Sequence, residues 1–439
     1  MTRIKPFTGI RYAKGVAQSV NDLLAPPYDV ISPAQQEALY ARHPKNVVRL
    51  ILGRQFDTDT DADNRYTRSA ATLAAWKAEG TLLPDDAPAL YLYAQDFLVE
   101  GVPTRRTGFI CRRLVDNFGD TIHPHERTLA GPKLDRLLLT RACRTNFSQV
   151  FSIYRDESQT LDRIWSAWME KNNPDITVID DEGEGHHLWS VTDPAVIGTV
   201  EAFFENRDLV IADGHHRYTT AINYRQERRE ADGNPPQLKA YDYCMMFIAN
   251  TAGPGFTILP THRVVMATAG AAVDGMFDRL GGYFSVSRTK VTRDTVGAFV
   301  ERLKKAGQTA PSFGLYTGNG EMALLTFTGK KKYLADMAAV TESETLKLLD
   351  VSILQNLVLE NILGITREKV ANKKDVTFTI DPKEVMERVD REGAVAGFLM
   401  NATDVGQVYE VATGGGVMPQ KSTYFYPKLI TGLVMNPID

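Results

Sequence analysis

Residues 209–224 read LVIADGHHRYTTAINY, and few stretches of this chain restrict its fold as tightly. Leu209, Val210 and Ile211 form an apolar, partly β-branched run that predicts a buried strand, and Gly214 supplies the backbone freedom of a tight turn. From Arg217 onward Ala221 and Tyr224 are spaced to share a helical face, and residues 226–230 make a charged end. A strand that turns directly into a helix presents unpaired N–H groups and partial positive charge at its C-terminal edge, which is a natural phosphate seat. Asp213, Gly214, His215, His216 and Arg217 all fall on that turn. The histidines and the arginine add donors, while Asp213 can accept a proton or hold a cation such as Mg²⁺. A plainer alternative makes Asp213 a helix cap among solvated neighbours. The density of ionisable groups favours the phosphate reading, with Asp213 and His216 as candidate catalytic groups.

The rest of the chain sets the frame. Its 439 residues, 43% hydrophobic and 24% charged, suit a globular protein of more than one domain, and we place the division at 1–252 and 253–439, beside the loop Gly253-Pro254-Gly255. A net charge of −4 gives no global attraction to nucleic acid. Cys111, Cys143 and Cys244 form no C-x-x-C pair, which argues against a zinc ribbon or a disulfide framework and fits a reducing compartment. The N-terminus lacks the apolar core of a secretion signal, and no run is long enough to span a bilayer. The expectation is a cytoplasmic protein acting on a small molecule, without a membrane partner; the sequence sets no oligomeric state.

The coarse pattern is mixed α/β. Ser32 reads as the N-cap of a helix from Pro33, and residues 64–79 as a helix with Tyr66, Leu73 and Trp76 in a stripe. Strands are expected at 89–97 and 106–114 around a Gly-Val-Pro turn, at 186–191 and at 241–249; helices are expected at 134–143, at 160–171 and from Pro194. The second half predicts helices at 271–280, 295–305 and 351–363. It also predicts strands at 313–316, 322–327 and 395–400, and an exposed hairpin tip at 328–332.

Other motifs carry weaker chemistry. In His123-Pro124-His125-Glu126, an extended backbone points both histidines to one side, where they would share a metal or an anion; Glu126 is a second carboxylate for a hydroxyl proton. Asp29 either closes a turn or orients Mg²⁺. Asp57-Thr-Asp-Thr-Asp61 fails as a calcium loop, because Ala62 and Arg68 stand where glycine and glutamate are needed. Residues 414–422 fail as a Walker A loop through Pro419 and Gln420, although Lys421, Ser422 and Thr423 can touch phosphate in another geometry. Thr261, His262 and Arg263 suit strand-end chemistry and a structural role equally.

Four separated segments, Ala-Pro-Pro-Tyr-Asp-Val-Ile-Ser, His-Pro-His-Glu, Ile-Ala-Asp-Gly-His-His-Arg and Met-Pro-Gln-Lys-Ser-Thr-Tyr-Phe-Tyr-Pro-Lys, resemble a broad prokaryotic family of uncharacterised proteins. The Asp-Gly-His-His-Arg turn also resembles the phosphate-binding turn of the ParB/sulfiredoxin superfamily, which includes free serine kinases. His215 stands where sulfiredoxins carry a cysteine, so their chemistry is not implied, and no helix-turn-helix like that of ParB proteins is found. The resemblance implies a ParB/sulfiredoxin-like core with helical insertions, followed by a C-terminal α/β domain contributing to the site. It implies phosphoryl transfer from a nucleotide (ATP or ADP) or pyrophosphate, with Mg²⁺, to a small metabolite, free L-serine first. Gly214, His215, His216 and Arg217 would hold phosphate, Asp213 or Glu126 would handle the acceptor, and Lys421 and Lys428 would complete the anion site. Two alternatives stand beside it: a metal-dependent phosphate-ester hydrolase using His123, His125, Asp213 and His216, and a nucleotide or nucleic-acid sensor without turnover.

Overall fold

A computed structural model describes residues 3–126, 130–253, 255–338, 343–372 and 374–439; Pro254 of the expected boundary loop lies outside the described residues. The fold is mixed α/β. The chain forms two compact units, one of Met1–Pro124, Thr128–Thr257 and Pro427–Asp439, the other of His125–Arg127 and Ile258–Tyr426.

The first unit is built on a nine-stranded sheet. Its strands are β1 (Ile4–Lys5), β2 (Leu90–Val99), β3 (Val102–Leu114), β4 (Ile122–His123), β5 (Val150–Tyr154), β6 (Ile176–Ile179), β7 (Gly185–Val191), β8 (Leu209–Asp213) and β9 (Tyr243–Asn250). They lie in the order β4-β8-β5-β9-β3-β2-β7-β6, with β1 on β3; β4 with β8 and β5 with β9 are parallel, the other pairs antiparallel. Glu100 and Gly101, both at positive φ, make a two-residue hairpin between β2 and β3. The turn is tighter than expected, because Val102 and Pro103 are already paired with Val99 and Leu98. Pro103 is tolerated where β9 does not reach along β3, so its missing N–H interrupts no ladder.

Alternation divides this sheet into two faces. On one, Leu90, Leu92, Ala94, Phe109, Cys111, Leu209, Ile211 and Met246 pack with Leu161 and Trp165 of the Thr160–Lys171 helix, Val200 of Pro194–Phe203 and Tyr218 of His215–Ala231. Tyr91, Tyr93 and Gln95 turn to the other face and are equally buried. A second core joins Leu39, Leu73, Trp76 and Leu139 from helices Pro33–Arg42, Arg65–Ala78 and Ala130–Cys143. Capping boxes at Ser32 and Asn64 fix the starts of the first two of these helices.

The second unit holds a six-stranded antiparallel sheet of β10 (His262–Met266), β11 (Phe284–Lys290), β12 (Ser312–Tyr316), β13 (Glu321–Phe327), β14 (Val376–Thr379) and β15 (Ala394–Met400), in the order β11-β13-β12-β15-β10-β14. Two expectations are corrected here, and a third helix is found where expected but with an unexpected winding. The helix expected at 271–280 is only Met276–Gly281, because Gly270 and Gly275 take positive φ and break the chain before it. Residues 328–332 are not a hairpin tip: Gly329 lies against the Tyr283 backbone and begins the helix Lys330–Asp336, anchored by buried Tyr333. The segment 351–363 is one α-turn, Asp350–Ile353, followed by a π-helix over Leu354–Ile362. No helix among the described residues is long and apolar enough to cross a membrane.

Candidate functional site

β8 carries the chain to the turn. Its pairing with β5 shifts between Ile211, opposite Ser152, and Asp213, opposite Phe151, so Ala212 is the extra residue of a β-bulge. A bulge next to a strand end re-aims the side chain that follows, here Asp213. Gly214 then takes φ 94° and ψ 27°, and the helix His215–Ala231 begins two residues earlier than the sequence suggests. Tyr218 N–H makes the first helical bond, to Gly214 O, at 3.0 Å. The N–H groups of His215, His216 and Arg217 therefore start the helix, and Gly214 has no side chain with which to cap them.

Asp213 is not the helix cap of the plainer alternative. It sits between two cations, with Arg217 Nη2 donating to Oδ2 at 2.5 Å and Lys428 Nζ donating to Oδ1 at 2.8 Å. Arg217 also gives an Nη1 hydrogen bond to Gln149 O. The guanidinium is thus fixed at both ends, and a Cβ on Gly214 would stand 2.9 Å from its Nε. Lys428 enters on Pro427–Asp439, the C-terminal segment of this unit. Reading from sequence, Lys428 is only an accessory to the anion site; no local signal ties it to Asp213, because 215 positions separate the two.

Behind the turn lies a buried polar layer that the sequence reading missed. Arg106 has no exposed surface; its guanidinium lies 4.8 Å from the centre of the Phe151 ring, donates to Gln95 Oε1 through Nε at 3.2 Å and to Pro427 O through Nη2 at 2.6 Å. Burial pulls its pKa down to about 10, against the charges of Tyr93, Glu184 and Asp213. Tyr93 OH meets His186 Nδ1 at 2.7 Å, and His186 Nε2 meets Asp180 Oδ2 at 3.1 Å. Burial raises the Asp180 pKa, but the hydrogen bonds from His186 and the Glu184 N–H prevail and hold it below the usual range.

The other expected site residues divide between the units. His123 is buried in β4 with Nε2 on Asp208 Oδ2 at 3.0 Å, whereas His125, in the second unit, meets Thr423 Oγ1 at 2.8 Å through Nε2. The two histidines are occupied separately, which corrects the expectation that they share one ligand. Among the described residues, the group whose ligand atoms cluster as a metal site would require is Asp180, Glu184 and His186, not His123, His125, Asp213 and His216. Asp29 is exposed on a turn beside Tyr28, whose ring carries the Arg136 guanidinium at 3.8 Å.

Glu126 pairs with Met418 in an isolated bridge in the second unit, and its charge faces buried Arg263. Arg263 Nη2 donates to Lys421 O at 3.0 Å, Ser422 Oγ donates to Pro419 O, and Lys421 takes φ 55°. His262 accepts from Met400 N–H at 3.1 Å, and burial pushes its pKa down to about 3. Thr261, His262 and Arg263 are therefore a buried structural group. All three cysteines are buried, which pushes Cys143 and Cys244 up to about 12 and Cys111 higher; none is poised as a nucleophile.

The model of a family described as "Protein of unknown function (DUF1015)" matches residues 4–352. No curated protein matches the sequence. Among solved structures, a free serine kinase in complex with AMP is similar at TM-score 0.36 and 11% identity, over 72% of this chain and 86% of that one. A conserved hypothetical protein from Pyrococcus furiosus gives TM-score 0.35 and 11% identity over 73% of this chain and 92% of its own. SbnI with a C-terminal truncation, from Staphylococcus aureus, gives TM-score 0.34 and 11% identity over 74% and 86%. Similarity this distant assigns no residue a role.

Proposed function

The chain belongs to the DUF1015 family, and from that premise we propose that it is a small-metabolite phosphotransferase, transferring a phosphoryl group from ATP, ADP or pyrophosphate to the hydroxyl of free L-serine. One observation carries the reading: a carboxylate shared by Arg217 and Lys428 stands directly before a helix N-terminus whose N-cap residue is the glycine Gly214. First-turn N–H groups and two cations suit a phosphate, and the carboxylate suits a hydroxyl. The acceptor hydroxyl donates to Asp213 and its oxygen attacks phosphorus. As that O–P bond forms, the bond from phosphorus to the leaving diphosphate or phosphate oxygen breaks, and the hydroxyl proton passes to Asp213. A loose phosphoryl-transfer transition state asks for positioning and charge stabilisation more than for basicity.

The same cations bear on Mg²⁺. With both Asp213 oxygens already paired to cations, a divalent ion at this turn would come with the donor's phosphates, keep water in its shell and supply charge neutralisation there.

The test is phosphorus NMR of the protein with Mg²⁺ and L-serine, with ATP, ADP and pyrophosphate offered separately. A phosphoserine resonance that is lost in Arg217→Met supports the reading and names the donor. Free phosphate alone makes the protein a hydrolase, and unchanged spectra with every donor refute serine phosphorylation.

A further inference from the structure

Lys428 reaches Asp213 from a stretch that is neither helix nor strand, so its direction has to be set by something other than a backbone ladder. The side chains that hold this stretch come from the sheet face opposite the helices. Gln95 on β2 is directly across from Arg106 on β3 and from His186 on β7. Arg106 Nη2 donates to the carbonyl of Pro427 at 2.6 Å, and Gln95 Nε2 donates to the carbonyl of Lys428 at 3.0 Å. Gln95 Oε1 in turn accepts from Arg106 Nε and Nη2, which locks the two side chains together. Further along, Gln149 Nε2 approaches Ile430 O at 3.4 Å, and the Ser148 and Thr431 hydroxyls lie 3.0 Å apart.

Burying a guanidinium and an amide completely is expensive unless their bonds do something specific. Here they pin two consecutive carbonyls on either side of the Lys428 backbone. That fixes where the Lys428 side chain leaves the backbone, and from there its ammonium reaches Asp213.

We propose that Gln95 and Arg106 are positioning residues: by gripping the carbonyls of Pro427 and Lys428 they hold the Lys428 ammonium on Asp213, and through it orient the carboxylate. The catalytic consequence rests on the phosphotransferase reading; the placement of Lys428 does not.

Two conservative variants test it. Gln95→Glu keeps the acceptor for Arg106 but loses the donor to Lys428 O, and Arg106→Lys keeps the charge but loses the fork. A brief pulse of acetic anhydride, read by mass spectrometry, measures how well Lys428 is protected relative to Lys305, which lies on a helix of the second unit. Lys428 labelling should rise about tenfold in each variant, the equivalent of roughly 1.4 kcal/mol of lost restraint, with Lys305 unchanged. Labelling of Lys428 at the wild-type rate in both folded variants overturns the proposal, and Arg106→Lys decides it alone if Gln95→Glu does not fold.

The second readout is a cycle with Lys428→Met. Gln95→Glu should lower kcat with little change in KM for serine, and should lower it no further once Lys428 is gone. Equal losses in both backgrounds would mean a general structural effect and sink the positioning role. If labelling rises while turnover is indifferent to all three substitutions, the positioning stands and the phosphotransferase reading of Asp213 falls.

Discussion

Gly214→Ala is the perturbation whose cost is most directly set by the structure. At φ 94° an L-residue is strained, and the penalty for alanine in the left-handed region is about 1–2 kcal/mol. The new Cβ would also lie 2.9 Å from Arg217 Nε and 3.0 Å from Cζ and Nη2. That is roughly half an ångström inside ordinary van der Waals contact. Arg217 cannot retreat freely, because it is held by Asp213 on one side and Gln149 O on the other. Losing one charged hydrogen bond costs about 1.5–3 kcal/mol, so the combined effect should be roughly 2–4 kcal/mol, allowing for partial relaxation. Trp76, Trp165, Trp168 and Trp189 are the four tryptophans of the chain and all lie in the first unit, so intrinsic fluorescence in urea reports that unit's unfolding. In an Arg217→Met background the penalty should shrink to the backbone part, about 1–2 kcal/mol. A loss below about 0.5 kcal/mol in the wild-type background would refute both the left-handed turn and the Arg217 contact, since surface substitutions elsewhere fall in that range.

Asp213→Asn should lower kcat by about 10²–10⁴, and Glu126→Gln by less than about tenfold; the reverse ranking in steady-state assays would move the proton acceptor to the second unit. His262 has a folded pKa near 3 against an unfolded value of 6.5, so the unfolded chain binds the extra proton between those limits. The second unit should therefore be at full strength above pH 6.5 and weaken as pH falls toward 3. Hydrogen exchange of β15 amides against pH should show that slope, and His262→Gln should flatten it. Trp165→Ala, in the core beside Phe109, should cost the first unit about 3–5 kcal/mol by urea unfolding.

Much of the first unit was legible because its signals are local. The Leu209–Asp213 strand, the helix cap at Ser32, and the helices Arg65–Ala78, Thr160–Lys171 and Pro194–Phe203 follow from residues within a few positions of one another. The failures also have local causes. Three lysines in succession suit a solvated hairpin tip, but they are also good helix formers, and Tyr333 just beyond them gives a helix something to bury. The Leu354–Ile362 segment is buried nearly all round, so its hydrophobic pattern holds no phase from which to tell a π-helix from an α-helix. Gln95 and Arg106 are polar residues in alternating strands, a pattern that reads as solvent-facing. They are buried because the C-terminal segment supplies carbonyls for them to hold.

The same limit applies more sharply to chemistry. In His-Pro-His-Glu, alternation argues for a shared ligand, yet His123 is taken by Asp208 and His125 by Thr423, partners that lie 85 and 298 positions away. The unit boundary falls between Pro124 and His125, inside that motif. It falls again between Tyr426 and Pro427, inside the closing motif, so that Lys421, Ser422 and Thr423 belong to one unit and Lys428 to the other. A dense polar motif marks where ionisable groups gather, but at these two places the chain is passing from one unit to the other, and neighbours in sequence answer to different cores. At Asp-Gly-His-His-Arg no such crossing intervenes. The strand, the turn and the helix belong to one unit, and Asp213 and Arg217 meet within a single helical turn. That continuity is why the local geometry of this motif could be anticipated from the sequence, and why a test of function belongs there first.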